Sequence, residues 1–332
     1  GLMGAIGAAL IAQEQTQGKE STFIGWDAVK TFTYTQETNL ICPFCANRCN
    51  RTRITFSNGS SWITGNRCPR GEVVGDPKDA SVRDAVRAAK QAMDSVPNLY
   101  TEREELLFKD WPYTTVVPDQ NITIGLPRVL FYWDSMPFWK TLLKALGFKV
   151  KLSHLSTRTI YEDGLQAVAS DTVCFPAKLV HSHIQNLIEY KVDRIFMPFV
   201  IFEEIDKQQQ NSYNCPIVSG YSQVIKNVQT DNLPIDHPAI TFKDTGLLYK
   251  QCRDYLSTLG VQEQVVKKAF DHALKAQDAF EKELIAYNRQ IVEEGNKKQK
   301  LIILLAGRPY HSDPLVQHKI SNMISAMGVY VI

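Results

Sequence analysis

From Asn121 onward, short apolar runs alternate with helix-length segments, and this alternation is the strongest constraint on what the chain can fold into. Ile122–Ile124 and Val129–Tyr132 are strand-like, Pro137–Leu146 reads as a helix stopped by Gly147, and Phe148–Leu152 is the next strand. Pro176–Tyr190 follows as a helix and Arg194–Phe199 as an apolar, buried strand. Thr245–Leu259 is a helix ended by Gly260, and Val261–Glu294 is a long amphipathic helix rich in Ala, Glu and Lys. A strand, a helix and a second strand in succession let the two strands pair in parallel, with the helix lying across the sheet face. The fold class is therefore α/β, with a parallel sheet covered on both faces.

A weak internal repeat supports the same reading. Gly125-Leu-Pro, a helix and then Leu146-Gly-Phe-Lys-Val150 are echoed by Gly307-Arg-Pro, a helix and Met327-Gly-Val-Tyr-Val331. The glycine spacings are 22 and 21 residues. Both copies run strand, Gly-x-Pro turn, helix, glycine stop, strand. The second copy, in residues 298–332, is expected to open a second α/β domain of the same kind, which the sequence carries only in part.

Upstream, the texture is different. Gly1–Ala12 repeats small residues every three to four positions, which suits a helix pressed closely against another element. Residues 13–40 are polar with no strong period and read as a linker holding at most a short strand. Residues 77–119 start helical, at Ala80–Met93, and become an irregular connector.

Between them, at residues 39–76, four of the seven cysteines crowd together as Cys42-x2-Cys45-x3-Cys49-x18-Cys68. Arg51–Phe56 and Trp62–Thr64 flank Ser57-Asn58-Gly59-Ser60, and Asn-Gly between β-prone runs is a strong hairpin signal. Such a hairpin folds Cys68 back towards the other three. Thiolates are soft ligands that a metal readily deprotonates, so the pattern points to one four-thiolate site. Four-cysteine sites hold structural zinc or a [4Fe–4S] cluster. Three ligands within eight residues, the absence of a second Cys-x2-Cys knuckle, and the Cys68-Pro69 pair lean towards the cluster. Zinc is the alternative, and unrelated buried thiols the remaining one. Seven cysteines in 332 residues, odd in number and clustered, suit reduced thiols and a cytoplasmic setting rather than a disulfide scaffold.

The other cysteines are isolated. Cys174, in Asp171-Thr-Val-Cys-Phe-Pro-Ala-Lys178, precedes a helix whose first position is Pro176, and a helix N-terminus lowers a thiol pKa. Cys215 lies in an irregular turn, Ser212-Tyr-Asn-Cys-Pro-Ile217. Each is either a ligand or a small core residue. Cys252 shares a helical stripe with Leu248, Tyr255, Leu256 and Leu259 and is read as core. His183 falls with Leu179 and Leu187 on an apolar face and is read as a buried, hydrogen-bonded histidine. His311 and His318 are polar site candidates or solvated side chains.

Lys and Arg number 37 against 35 Asp and Glu, which gives no electrostatic reason to expect nucleic acid or an anionic membrane. No apolar run approaches the roughly 20 residues of a membrane helix. The Asn58 and Asn121 glycosylation patterns read as chance. No Walker loop, Gly-x-Ser-x-Gly or His-Glu-x-x-His motif is present.

Ile124-Gly-Leu-Pro-Arg-Val-Leu-Phe-Tyr-Trp133, Pro137-Phe-Trp139 and Asp171-Thr-Val-Cys-Phe-Pro-Ala-Lys-Leu179 resemble the acyl-CoA dehydratase activase-related proteins, relatives of the 2-hydroxyacyl-CoA (2-hydroxyglutaryl-CoA) dehydratase system of anaerobes. Gly65-Asn-Arg-Cys-Pro-Arg-Gly71 and Ala306-Gly-Arg-Pro-Tyr-His311 with Asp313-Pro314 fit the same family, the latter making Arg308 and His311 further site candidates. The resemblance implies a Rossmann-like domain of dehydratase type over residues 120–260, joined by a long helix at 261–297 to the second. It also implies that residues 1–15 are the last helix of an actin-like ATPase domain not contained in this sequence. Related dehydratases hold a [4Fe–4S] cluster on cysteines at strand ends, a placement that Cys174 and Cys215 match, with a further ligand expected from the second domain. The implied activity is ATP-driven, low-potential electron transfer, with an ATPase domain and a dehydratase or reductase as partners and a homodimer as a possible assembly. A zinc-stabilised, non-enzymatic docking module is the alternative.

Overall fold

The structure, a computed structural model, describes residues 2–16, 23–45, 47–168, 170–203, 212–228 and 232–332. Of the polar stretch 13–40, residues 17–22 lie outside them, as does Gly1 of the first segment. The chain divides into two compact units, one of residues 1–40 and 51–64 and the other of residues 41–50 and 65–332.

In the first unit, α1 (Leu2–Gln15) forms where small residues predict a helix, but none of its residues is buried. The expected close packing is absent: Leu2, Met3 and Leu10 are exposed. The region read as a linker holds α2 (Trp26–Thr31) and β1 (Tyr34–Ile41), more structure than its weak period suggested. With β2 (Asn50–Phe56) and β3 (Ser61–Thr64), β1 forms a sheet in the order β1-β2-β3. The β2–β3 pair is the expected antiparallel hairpin, in register Thr52 to Thr64 and Thr55 to Ser61. At its turn Gly59 takes φ +82°, and the Asn58 side chain accepts from the Ser60 N–H at 2.9 Å.

The second unit opens with α3 (Ala80–Asp94), as expected, and then α4 (Leu99–Phe108). Sequence reasoning read the α4 stretch as irregular. It is capped by Asn98, whose side chain accepts from the Tyr100 N–H, and buries only Leu106 and Leu107, so its apolar period is short. The α/β part then runs β4 (Thr123–Leu126), α5 (Tyr132–Ala145), β5 (Lys149–Leu152), α6 (Arg158–Gly164), α7 (Phe175–Glu189), β6 (Arg194–Phe196), β7 (Phe199–Phe202), α8 (Pro216–Val228), β8 (Ile235–Asp236), β9 (Ala239–Thr241), α9 (Thr245–Thr258) and α10 (Glu263–Lys297). The chain ends in β10 (Ile302–Ile303), α11 (Ile320–Ala326) and β11 (Tyr330–Val331).

One sheet has the order β5-β4-β6-β8 with every pair parallel, and β7 and β9 form a second parallel pair. The Arg194–Phe199 run is thus two strands rather than one. Val129–Tyr132, read as a strand, is instead a turn leading into α5: Leu130 takes φ +49°, which no strand residue adopts. The apolar run there serves a helix buried on all sides. Twelve residues of α5 are buried, including Trp133, Phe138 and Trp139, and the helix packs against α10. The Tyr132 hydroxyl donates to the Phe196 carbonyl at 2.6 Å, tying α5 to the sheet. Gly147 stops α5 at φ +80°, where a Cβ would lie 2.2 Å from the Pro118 carbonyl oxygen.

The late copy of the repeat pairs as the first does: β10 and β11 are parallel, on either side of α11, with Gly328 at φ +77°. Among the described residues no helix is long and apolar enough to cross a membrane.

Candidate functional site at the strand ends and the cysteine loop

In the main sheet β5 lies on one side of β4, and β6 and β8 lie on the other. The chain therefore reverses its direction of winding between β4 and β6, and in parallel sheets a crevice opens at the carboxyl ends of strands at such a point. Helices α7 and α8 lead back into β6 and β8, so their N-termini face this same end.

Cys174 is the N-cap of α7, with Pro176 in the first turn, and Cys215 directly precedes α8. Cys174 is exposed and Cys215 half-buried. The structure brings both around Tyr310. Burial pushes that phenol above its ordinary pKa, the charge of Cys215 adds to this, Arg308 opposes it, and Cys174 adds further. Tyr221 is also raised, by burial and then by Cys174, and shares a 2.9 Å hydrogen bond with His181 Nε2. Arg308 belongs to this group. His311 serves the turn itself: its Nδ1 accepts from the Arg308 N–H at 3.0 Å. Cys252 is core, as expected, and burial pushes its thiol far up.

Beside the crevice is a polar chain that sequence reasoning found only in part. His183 is fully buried, and both ring nitrogens are engaged: Nδ1 with Ser153 Oγ at 2.7 Å and Nε2 with Ser156 Oγ at 2.9 Å. Ser156 donates to the Asp313 carboxylate in a short hydrogen bond, so its oxygen must accept from His183 Nε2–H. Nδ1 is then the acceptor, and Ser153 Oγ donates to it while receiving the Arg128 N–H at 2.9 Å. Asp313 also accepts the N–H groups of Leu315 and Val316 at 2.8 and 3.1 Å. Burial holds His183 down to about 3, helped by Arg128 and His154, so the ring is neutral. Burial pushes Asp313 up to about 6 against its three hydrogen bonds. Glu104 on α4 is raised to about 7 by burial and then by Asp313. At the end of β7, Glu203 is raised to about 7 by burial, while Asn214 donates to it at 2.8 Å.

The other candidate is the loop between β1 and β2 together with residues 65–72. The Cys42 N–H donates to the Cys49 carbonyl at 2.8 Å, and the Arg48 N–H to that of Cys45 at 3.2 Å, folding three cysteines into one short turn. Cys68 caps a 3-10 turn over Pro69–Glu72. Its carbonyl accepts from the Gly71 N–H at 2.9 Å and from the Asn66 side chain at 3.2 Å. Cys42 and Cys68 are buried, Cys45 and Cys49 half-buried. Burial pushes the Cys49 thiol up, and the charges of Cys45, Cys42 and Cys68 push it further, against a hydrogen bond from the Arg67 backbone. The Cys49 thiol thus feels the other three. Burial works against the charge of Arg70, but its hydrogen bond to Cys68 prevails and raises its pKa. Four soft sulfur donors are a donor set of the right chemistry for a zinc ion or an iron–sulfur cluster. Among the described residues, however, no three His, Cys, Asp or Glu side chains are arranged to hold a metal ion.

Residues 123–332 match the family described as CoA enzyme activase uncharacterised domain. No curated protein and no solved structure matches the chain.

Proposed function

The chain belongs to the CoA enzyme activase family, and on that premise we propose that it is the iron–sulfur electron-transfer module of an ATP-dependent 2-hydroxyacyl-CoA dehydratase activase-like system. The observation that carries the reading is the gathering of Cys42, Cys45 and Cys49 into one turn, with Cys68 near enough to act on the Cys49 thiol. These four would hold a [4Fe–4S] cluster, which supplies one-electron chemistry at low potential when bound. Arg70 would donate to the Cys68 sulfur, and such hydrogen bonds are among the protein's means of tuning a cluster. Cys174 and Cys215 would be partial ligands of a second site in the strand-end crevice, beside Tyr310. The Ser153–His183–Ser156–Asp313 chain fixes the walls of that crevice without a net charge change at the imidazole. An ATPase domain and a dehydratase or reductase are the partners this role requires.

Spin resonance after anaerobic dithionite reduction tests the proposal. A cluster signal that is lost in Cys68→Ser and kept in Cys252→Ser is the expected result. A protein that binds zinc, gives no signal, and loses the hairpin fold on chelation would overturn it in favour of a zinc-stabilised docking module.

A further inference from the structure

Next to the cysteine loop is a cavity of about 380 Å³, within the size range of small-molecule sites. Its walls combine two kinds of group. Tyr161 on α6 and Phe175 on α7 meet with ring centroids 5.0 Å apart at 57°. The His318 ring faces Phe175 nearly in parallel, at 22° and 6.4 Å. The lining also carries cations, Arg67, Arg158 and Lys319, against the single carboxylate of Glu162. Glu162 is already paired with Arg158 at 2.7 Å. Neither Arg67 nor Lys319 makes an ion pair among the described residues. The Arg67 guanidinium donates to the His318 carbonyl at 3.3 Å. The turn that presents His318 and Lys319 puts both in the left-handed region, at φ +55° and +57°, and is held by the Lys319 N–H donating to the Pro314 carbonyl at 3.0 Å.

Three ring faces select a flat, polarizable body, and two cations outside any ion pair among the described residues select an anion. A guanidinium beside an ammonium suits a phosphate dianion better than a single carboxylate. A bare phosphate would leave the rings unused, and a neutral ring would leave the cations unused. We infer that this cavity binds a nucleoside phosphate, its base against Phe175, His318 and Tyr161 and its phosphate between Arg67 and Lys319. Cys49 also lines the cavity, but neither the base nor the phosphate is assigned to its sulfur.

Calorimetric titration of the full chain with AMP, adenosine and inorganic phosphate tests it. Saturable AMP binding is expected, with adenosine and phosphate each at least about tenfold weaker, a difference of about 1.4 kcal/mol. Lys319→Ala and Phe175→Leu should each weaken AMP at least about tenfold. Arg67 is exposed, so Arg67→Ala keeps the test open should Phe175→Leu fail to fold. No saturable AMP binding, or unchanged affinity in the Lys319 and Arg67 variants, would overturn the inference. Adenosine or phosphate binding as tightly as AMP would do so as well.

Discussion

The cysteine loop and the strand-end crevice are both polar, partly buried and built from short turns, yet they are held in opposite ways. In the crevice every polar atom of His183 has a protein partner, and the chain runs from the Arg128 N–H to the Asp313 carboxylate without a gap. In the loop, backbone hydrogen bonds shape the turns, but burial and the neighbouring sulfurs make the Cys49 thiol hard to ionise. A network closed by the protein's own donors and acceptors contributes rigidity to the fold. A set of thiols that ionise only at a cost contributes none, and gains from a cation. The two regions should therefore respond in opposite ways to substitution.

The largest effect is expected at His183. His183→Phe keeps an aromatic ring but leaves Ser156 and Ser153 each short of a partner in a buried site, which costs about 3 kcal/mol. Urea unfolding measures it, and a loss below about 0.5 kcal/mol would end the claim that the network is structural. Next comes Gly164→Ala. A Cβ at Gly164 would lie 2.4 Å from the Ser182 Cα, so α6 must move away from α7, at about 2 kcal/mol. Unchanged stability there would mean the helices are not in close contact.

The pH dependence sharpens the contrast. His183 falls from its ordinary 6.5 to about 3, so the stability it contributes is present above about 6.5 and is lost as pH falls towards 3. Asp313 rises from 3.8 to about 6, so its contribution is full below about 4 and is lost as pH rises through 6. Between about 4 and 6 the two oppose each other. Asp313→Asn removes one of them, and unfolding free energy should then fall with acidity more steeply than in the parent, by about 1.4 kcal/mol per pH unit. Parallel curves for the two proteins would contradict the assignment. The smallest effect is expected at Cys49→Ser in metal-free protein, below about 1 kcal/mol in urea unfolding, because the thiol is only half-buried and serine is close to it in size. A loss as large as that of His183→Phe would erase the distinction between the regions.

What the sequence disclosed follows from how far apart the interacting residues lie. The parallel sheet, the long helix, the Asn58-Gly59 hairpin and the glycine stops at Gly147 and Gly260 rest on local period and turn chemistry, and they are found as expected. Val129–Tyr132 misled because a helix buried on all sides begins with the same apolar run that a buried strand would show. The cysteine spacing offered a candidate ligand set, of which the fold gathers Cys42, Cys45 and Cys49 into one turn. The crevice was not: Ser153 and Ser156 lie 30 and 27 residues from His183, and Asp313 lies 157 residues from Ser156. Only the apolar stripe around His183 hinted that it would be buried and hydrogen-bonded. Lys319, Arg67 and Phe175 share no sequence signal at all, since three separate segments bring them to one cavity.

The central claim is that Cys42, Cys45, Cys49 and Cys68 bind a redox cluster. Iron, acid-labile sulfide and zinc should be quantified in anaerobically purified chain beside its Cys42→Ser and Cys68→Ser variants. The account predicts a brown protein with about four iron atoms at this site, lost in both variants. A colourless protein with one zinc, or iron that persists when both cysteines are replaced, would contradict it.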